Sequence, residues 1–211
     1  FGTIKALSTI KNAIILVHGP KGCVYHINYI LGLRGDRPSE IFSTCLDEHD
    51  VIFGAEEKLT RAITELDGTF HPDFLFVLSC CASGIIGEDV NAAVSGASIR
   101  SRAIAIESGG FEGDHAGGYK HTLARIASIL AEKTGDSLPS TINLIGVLRA
   151  GPDLQEIRDI LARSGISVNA VLTAGLRKDQ LLRMGDVSLN VVVCEASGMD
   201  AAQELFEAAG S

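Results

Sequence analysis

The sequence predicts an α/β protein with two successive parallel-sheet domains, and three features lead to this prediction. Short apolar runs rich in β-branched residues alternate with segments of helical period along the chain. Continuous apolar runs are typical of strands that helices cover on both faces, as in parallel sheets. A polar segment, GDSLPST, interrupts the alternation. We therefore expect a first domain over residues 1–136 and a second over residues 140–211.

The first domain is expected to alternate four strands with helices. AIILV is the first predicted strand, and the turn GPKG follows it. DEHD is predicted to be an acidic loop, and SGGFEGDHAGG a glycine-rich loop before the longest helix. The predicted strands are residues 13–17, 41–46, 74–80 and 103–106, and the predicted helices are residues 23–31, 56–66, 89–94 and 119–133.

The second domain repeats the alternation of strands and helices after the polar segment. Its predicted strands are residues 142–148, 168–172 and 189–193, and its predicted helices are residues 154–163, 178–184 and 201–209. In open α/β sheets, ligands bind beyond the carboxyl ends of the strands. Residues that follow predicted strands are therefore the first candidates for a functional site.

The composition is suited to a buried core and disfavours several classes of protein. Hydrophobic residues make up 46% of the chain and charged residues 21%, and the formal net charge is −8. Nucleic acid is a poor partner for this charge balance, because phosphate binding needs clustered Lys and Arg. No apolar run approaches the roughly 18 residues that span a bilayer, and the opening residues lack signal-peptide features. We expect a cytoplasmic protein with neither a nucleic-acid nor a membrane partner.

Five cysteines carry most of the chemical information in the sequence. Their odd number, their irregular spacing and one adjacent pair argue against a disulfide framework, which leaves buried thiols or metal ligands as the alternatives. Most of them follow predicted strands, where a ligand role is favoured over a packing role. They are Cys23, Cys45, Cys80, Cys81 and Cys194.

Two cysteine motifs combine a strand end, glycine and a thiol. In VHGPKGC, Gly19 and Gly22 allow backbone N–H groups to approach an anion or a cluster sulfide, and Cys23 supplies a thiolate. The alternative is a tight turn with an incidental cysteine. LSCCASGIIGED follows the same logic at a helix start, which favours thiolate. Only one of the adjacent Cys80 and Cys81 can readily face one site, so we expect one ligand and one packing residue.

Other common motifs are missing from the sequence. There is no CxxC pair, no phosphate-binding loop of the form GxxxxGK[ST], no GxSxG and no HExxH. A zinc ribbon, a ferredoxin-type cluster and ATP hydrolysis by this chain are therefore disfavoured. Asp114 and His115 are either an acid–base or metal-ligand pair or part of a capping loop.

Five stretches, in this order, resemble nitrogenase component 1-type oxidoreductases: HGPKGC, FSTCLDEHDVIFGAEEKLTRAI, SCCASGIIGEDV, GGFEGDHAGGYKH and LNVVVCEASGM. This family includes a scaffold for cofactor assembly, the light-independent protochlorophyllide reductase and the reductases that make a nickel tetrapyrrole. The resemblance implies a stack of Rossmann-like domains, which agrees with the fold predicted above. It also implies that further chain precedes and follows this sequence, including the family's first cluster cysteine, just before Phe1.

The resemblance implies an iron–sulfur cluster, [4Fe–4S] or larger, at an interface with a homologous subunit. Cys23 and Cys81 match two of its metal ligands. Gly19, Gly22 and Gly87 lie in the loops around them and are expected to contribute to cofactor binding. The acidic segment of residues 47–50 lies near the cluster cysteine in the family, whereas Cys45 is expected to be structural.

The resemblance also implies a second pocket, for a metallocluster or a tetrapyrrole. Cys194 matches the cysteine that anchors the active-site metallocluster in nitrogenase. Lys120 and Ala116 stand where nitrogenase has a histidine and a glutamine around that cofactor, and His121 matches the next family histidine. Lys120 and His121 are the expected catalytic residues, and Cys194 is expected to bind metal.

The function that this resemblance implies is that of a nitrogenase-like iron–sulfur reductase subunit. It would accept electrons from an ATP-dependent reductase partner and pass them to a bound cofactor or substrate. One alternative is a scaffold for metallocluster assembly, and another is a tetrapyrrole reductase subunit. A third is a family member that binds no metal and only associates with other chains.

Overall fold

The computed structural model describes residues 1–33, 40–111, 113–131, 133, 135, 137–147 and 150–210. The chain forms two compact units, and each contains one parallel sheet. The first unit comprises Phe1 and Asn12–Asp114, and the second comprises Gly2–Lys11 and His115–Ser211. The prediction of an α/β fold with two parallel sheets is confirmed.

In the first unit, four parallel strands lie in the order β2–β1–β3–β4. All six residues of β3 are buried, because β3 lies inside the sheet and helices cover it. Ile14 and Leu75 are paired in register and pack against Leu59 and Ile63. The elements are β1 (Ala13–His18), α2 (Lys21–Leu33), β2 (Glu40–Ser43), α3 (Glu48–Phe53), α4 (Glu56–Phe70), β3 (Phe74–Ser79), α5 (Cys81–Ile85), α6 (Val90–Gly96) and β4 (Arg102–Ile106).

In the second unit, three parallel strands lie in the order β6–β5–β7. Its apolar cluster includes Leu144, Leu154 and Val171, which come from β5, α8 and β6. The elements are α1 (Gly2–Leu7), α7 (His115–Leu130), β5 (Leu138–Ile145), α8 (Pro152–Arg163), β6 (Ser167–Leu172), α9 (Lys178–Leu182), a short 3₁₀ turn (Met184–Asp186), β7 (Val187–Val192) and α10 (Glu195–Ala209).

Several predicted boundaries were wrong. The predicted strand 41–46 ends at Ser43, because Cys45 adopts a left-handed backbone with φ of 55°. The predicted acidic loop contains the start of α3, which Asp47 caps through a reciprocal pair with Asp50. Part of the glycine-rich loop belongs to α7, which begins at His115, and part of the predicted linker belongs to β5, which begins at Leu138.

Three short helices, α1, α3 and α5, were not predicted. Residues 132, 136 and 148, which fell in a predicted helix, linker and strand, lie outside the described residues. Helix α7 belongs to the second compact unit, whereas the predicted first domain extended to residue 136. That domain boundary stays a prediction. No helix among the described residues is long and apolar enough to cross a bilayer.

Candidate functional site

The carboxyl edge of the first sheet brings the cysteine motifs together. β1 and β3 are parallel neighbours, and His18 at the end of β1 is paired with Ser79 at the end of β3. The chain segments that follow these strands therefore leave the sheet side by side. One segment carries Cys23 in the first turn of α2, and the other carries Cys80 and Cys81 at the start of α5.

The two adjacent cysteines have different environments. Cys80 is buried at the N-cap of α5, where its N–H donates to Ser83 Oγ at 2.8 Å. The Ser83 hydroxyl lies 3.8 Å from Cys80 Sγ and can donate to it. Cys81 is exposed, and its sulfur accepts a hydrogen bond from the Gly110 N–H at 3.2 Å. Cys80 therefore has the burial of a packing residue, and Cys81 has the accessibility that a metal ligand needs.

Cys23 is exposed and lies close to both of these cysteines. Burial of part of its side chain raises the pKa of the Cys23 thiol, and the neighbouring Cys80 and Cys81 raise it further. A hydrogen bond with Cys80 acts in the same direction. Clustered thiols disfavour one another's ionisation, whereas a bound cation would favour the thiolates.

At two of the three positions where a glycine is predicted to bind cofactor, the local geometry itself favours glycine. A Cβ atom on Gly19 would lie 2.5 Å from Cys80 Sγ, so a side chain at this position would displace that sulfur. Gly87 adopts a φ of 74°, which favours glycine. A Cβ atom on Gly22 would meet no atom within 4 Å, so Gly22 leaves open space beside Cys23. Whether the three bind a cofactor stays a prediction.

A buried polar cluster at the same edge was missed by the sequence analysis. His18 is fully buried; its Nε2 lies 2.8 Å from Glu88 Oε2 and its Nδ1 lies 3.0 Å from Thr44 Oγ1. Thr44 Oγ1 also accepts the Gly19 N–H at 3.1 Å, and the second oxygen of Glu88 accepts the Ala55 N–H. A histidine and an acid inside two cysteine motifs were the available signal, but their separation in sequence gave no reason to pair them.

The acidic segment and Cys45 lie beside these loops and are held by Lys58. Lys58 Nζ lies 2.5 Å from Asp50 Oδ2 and donates to the Cys45 carbonyl oxygen at 3.0 Å. The hydrogen bond from Lys58 lowers the pKa of Asp50. Cys45 is exposed and its sulfur lies 3.6 Å from the Ser43 carbonyl oxygen. Asp50 therefore contributes to holding α3 and the Cys45 turn together.

In the second unit, Cys194 is the N-cap residue of α10, two residues after the end of β7. Hydrogen bonds from the Ser197 hydroxyl and from the Ser197 N–H lower the pKa of the Cys194 thiol. Gly146, after β5, has a φ of 85°, and a Cβ there would lie 2.9 Å from the Cys194 carbonyl oxygen. The helix start and the adjacent strand end therefore fix the backbone at Cys194.

The predicted catalytic residues of α7 have separate environments. Lys120 Nζ lies 3.4 Å from Asp200 Oδ2 on α10, and His121 is exposed. Tyr119 is buried, and its hydroxyl lies 2.6 Å from Thr173 Oγ1. Burial raises the pKa of Tyr119, and the nearby Cys194 adds to this effect. Tyr119 was not among the predicted site residues, although Cys194 contributes to its raised pKa.

The earlier alternative for Asp114 and His115 stays open. His115 is the first residue of α7 and Asp114 directly precedes it, and both are exposed. Within the part of the chain that the structure describes, no group of three or more His, Cys, Asp and Glu side chains is arranged to hold a metal ion. The predicted ligands therefore do not form a complete single-metal site among those residues.

The fold and the site define the class of protein. It is an α/β chain of two parallel sheets, with its cysteines in the segments that follow strands. The family of nitrogenase component 1 type oxidoreductases matches residues 1–211, and this chain belongs to that family.

Curated relatives and solved structures agree with this membership. The chain is 36% identical over 206 residues to the nitrogenase iron-molybdenum cofactor biosynthesis protein NifE of Clostridium pasteurianum, which covers 94% of this chain and 44% of the relative. It is 28% identical over 200 residues to the nitrogenase molybdenum-iron protein alpha chain of Methanosarcina barkeri, covering 89% and 38%. A solved structure of nitrogenase Cp1 at pH 6.5 superimposes with a TM-score of 0.83 at 26% identity, covering 97% of this chain and 43% of the other.

A shorter match reaches higher identity. The chain is 42% identical over 118 residues to component CfbD of the Ni-sirohydrochlorin a,c-diamide reductive cyclase complex of Methanothermobacter thermautotrophicus, covering 55% of this chain and 32% of the relative. The chain spans less than half the length of these relatives.

Proposed function

We propose that this chain is part of a nitrogenase component 1-type subunit that binds an iron–sulfur cluster through Cys23 and Cys81. The observation that carries the proposal is the meeting of Cys23 with the Cys80–Cys81 pair at one sheet edge. Thiolates are the usual ligands of iron–sulfur clusters, and burial and hydrogen bonds set the cluster's potential. The accessible sulfurs of Cys23 and Cys81 fit this role, with Cys80 packed behind them.

Two thiolates are fewer than a [4Fe–4S] cluster takes, because such clusters are usually held by four cysteines. The proposal therefore assigns the remaining ligands to a homologous subunit. The bound cluster would supply one-electron transfer. The chain itself would contribute the thiolates, the Gly110 N–H that bonds Cys81 Sγ and the open space beside Gly22.

Exposed apolar side chains at the same edge support a partner surface. Tyr25, Phe53 and Ile85 are 75%, 72% and 73% exposed, and they lie on α2, α3 and α5, which follow β1, β2 and β3. Exposed apolar groups gathered near a functional site are typical of protein interfaces. We assign this edge to a homologous subunit and to an ATP-dependent iron–sulfur reductase that delivers electrons.

For the biological role, the scaffold alternative is favoured over substrate reduction. The relative that is 36% identical over 94% of this chain is a cofactor biosynthesis protein, whereas the molybdenum-iron alpha chain is 28% identical over 89%. The sequence-based first hypothesis, a reductase that acts on substrate, becomes the second candidate. The 42% identity to component CfbD over 55% of the chain favours a tetrapyrrole as substrate in that case.

The second proposed site is Cys194, with Lys120 and His121 as the catalytic residues of the earlier prediction. The lowered pKa of Cys194 supports a thiolate that can bind a metallocluster. Lys120 pairs with Asp200, so any contact with a bound cofactor requires that ion pair to open or to be shared. In a tetrapyrrole reductase the same site would hold the macrocycle, and Cys194 would not need to bind metal.

The test begins with iron, acid-labile sulfide and a visible spectrum on anaerobically purified protein. We expect stoichiometric iron and sulfide, and a colourless, iron-free protein would contradict the proposal. The reductase partner and ATP are then added. A scaffold is expected to pass its metal cluster to a cofactor-free nitrogenase component 1, whereas a reductase is expected to consume substrate in repeated turnovers without that acceptor.

A further inference from the structure

The hydrogen bonds of the buried cluster around His18 follow from the chemistry of its groups. A carboxylate only accepts hydrogen bonds, so His18 Nε2–H donates to Glu88 Oε2 across 2.8 Å. In the neutral imidazole, Nδ1 then accepts from the Thr44 hydroxyl at 3.0 Å. His18 is fully buried, and the Glu88 side chain is 8% exposed. Solvent therefore supplies little of the hydrogen bonding in this pair.

The cluster connects the chain segments that carry the proposed ligands. Thr44 lies just after β2, and its hydroxyl oxygen accepts the Gly19 N–H. Gly19 is the first residue of the turn that leads to Cys23. The Glu88 N–H donates to the Ser83 carbonyl oxygen at 3.1 Å, inside the helix that begins with Cys81. The other carboxylate oxygen of Glu88 accepts the Ala55 N–H at the start of α4. One imidazole and one carboxylate thus link the segments after β1, β2 and β3.

Stability alone does not account for this arrangement. Removing a carboxylate and an imidazole from water is unfavourable, and well-packed apolar residues of similar volume often serve stability as well or better. Asp67, in the same unit, is a second buried carboxylate with which Glu88 can be compared. It is 7% exposed and accepts the N–H groups of Arg100 and Ser101. Asp67 caps a turn just before β4, at the amino edge of the sheet, and touches no cysteine-bearing segment in these hydrogen bonds.

We infer that His18 and Glu88 are positioning residues that hold the Cys23 segment and the Cys81 segment at the spacing a shared cluster requires. The inference rests on the proposed function, because it concerns the ligands named there. His18 fixes the Cys23 side through Thr44 and Gly19, and Glu88 fixes the Cys81 side through Ser83. Neither side chain is assigned a contact with the cluster itself.

The first test uses iron-free protein and dibromobimane, a short reagent that becomes fluorescent when both arms react with thiols. Tandem mass spectrometry identifies products that join Cys23 to Cys80 or Cys81. We expect the bridging rate to fall several-fold in Glu88→Ala and in His18→Gln. Glutamine places an amide near the position of Nε2, so His18→Gln keeps the bond to Glu88 and loses the bond to Thr44. It remains informative if Glu88→Ala fails to fold.

Two further variants separate positioning from general stability. Glu88→Gln keeps the side-chain shape, and the His18 imidazole can change tautomer to accept from the new amide, so this variant should bridge nearly as fast as wild type. Asp67→Ala removes a buried carboxylate from the opposite edge of the sheet. It should lower the unfolding temperature and leave the bridging rate unchanged.

The second test follows the release of iron from loaded protein to bathophenanthroline. We expect several-fold faster release and a changed electron paramagnetic resonance spectrum in His18→Gln, with neither change in Asp67→Ala. The inference is overturned if His18→Gln and Glu88→Ala match Asp67→Ala in bridging rate. A wild-type protein that binds no iron would contradict the proposed function, while the bridging rates of iron-free protein would still decide the inference.

Discussion

The two cysteine-bearing regions of this chain shift the pKa of their thiols in opposite directions. The first region is the carboxyl edge of the first sheet, and the second is the start of α10. Cys23 lies close to Cys80 and Cys81, and burial together with these neighbours raises its pKa. Cys194 stands at the start of a helix, where the Ser197 hydroxyl and N–H lower its pKa. Both thiols follow parallel strands, so the topology is shared and the difference comes from what surrounds each sulfur.

This difference indicates how each region depends on a bound metal. Clustered thiolates would repel one another, and a cation would compensate that repulsion, so the proposed metal binding and thiolate formation would be coupled at Cys23. A thiol at a helix start already has N–H groups that favour its ionised form. Under the proposed function, the first region would hold a cluster shared among several sulfurs, and the second would offer a single thiolate ligand.

The largest expected effect is the loss of cluster iron on removal of a proposed ligand. Cys81→Ala and Cys23→Ala should each weaken iron binding by roughly tenfold or more, since changes even to outer-shell groups typically cost 10–100-fold in metal affinity. Cys45→Ala is the matched control, because Cys45 is also exposed at this edge but sits in a turn held by Lys58. Iron and sulfide analysis of anaerobic protein measures the effect. Full iron content in Cys81→Ala would remove the ligand assignment.

A substitution at Gly19 tests whether the first region depends on close packing of its sulfurs. The new methyl group in Gly19→Ala would lie 2.5 Å from Cys80 Sγ, so the sulfur or the turn must move. Overpacking of this kind typically costs about 1–3 kcal/mol in free energy of unfolding. Gly22→Ala is the control, because its Cβ meets no atom within 4 Å, and alanine in a helix is favoured over glycine by up to about 1 kcal/mol.

Denaturation in urea, with both variants and wild type measured side by side, gives the two free-energy changes. Opposite signs are expected, with Gly19→Ala destabilised and Gly22→Ala unchanged or stabilised. If Gly19→Ala were as stable as wild type, the Cys80 sulfur would have room to move, and the tight cluster described for this region would be wrong.

The pH dependence of thiol alkylation compares the two regions directly. Alkylation follows the thiolate fraction, so a lowered pKa moves the half-maximal rate to lower pH and a raised pKa moves it to higher pH. In iron-free protein, Cys194 should reach its half-maximal rate below the usual thiol range and Cys23 above it. Iodoacetamide labelling at a series of pH values, followed by peptide mass spectrometry, resolves the two sites.

The Ser197→Ala variant sharpens this comparison. It removes the side-chain hydrogen bond that contributes most to the lowered pKa of Cys194, so the Cys194 profile should move to higher pH. The Cys23 profile should not change in the same sample and serves as an internal control. A Cys23 profile lying at lower pH than that of Cys194 would reverse the comparison.

Long buried elements could be predicted from the sequence, whereas three of the short helices could not. β1 and β3 were predicted to within one residue at each end, because nearly all of their residues are apolar and buried. α1, α3 and α5 contain only six, six and five residues, too few to show a helical period. The end of β2 was placed too late, because FSTCL has the alternation of a strand while Cys45 adopts a positive φ.

The residues of the candidate site also differ in whether the sequence could predict them. The cysteine motifs at strand ends made Cys23 and one of Cys80 and Cys81 candidates, and the resemblance to the family implied Cys81 and the role of Cys194. The pairing of His18 with Glu88 joins residues 70 positions apart, and it depends on the register between β1 and β3. No local pattern contains that register, so the positioning network became visible only in the folded chain.

The smallest expected effect concerns the buried tyrosine of the second region. Tyr119→Phe removes the hydroxyl that lies 2.6 Å from Thr173 Oγ1 and keeps the buried ring. Loss of one buried hydrogen bond typically lowers the free energy of unfolding by about 0.5–1.5 kcal/mol, and urea denaturation measures this change. Tyr25→Phe is the matched control, because Tyr25 is 75% exposed and its hydroxyl is available to water.

The same Tyr119→Phe sample distinguishes support of the fold from control of the thiol. The hydrogen bonds that lower the pKa of Cys194 come from Ser197 and from the Ala196 N–H, so the alkylation profile of Cys194 should stay unchanged while stability falls. A shift of that profile would mean that the Tyr119 hydroxyl also sets the ionisation of Cys194. The second region would then resemble the first, because its thiol too would depend on a neighbouring titratable group.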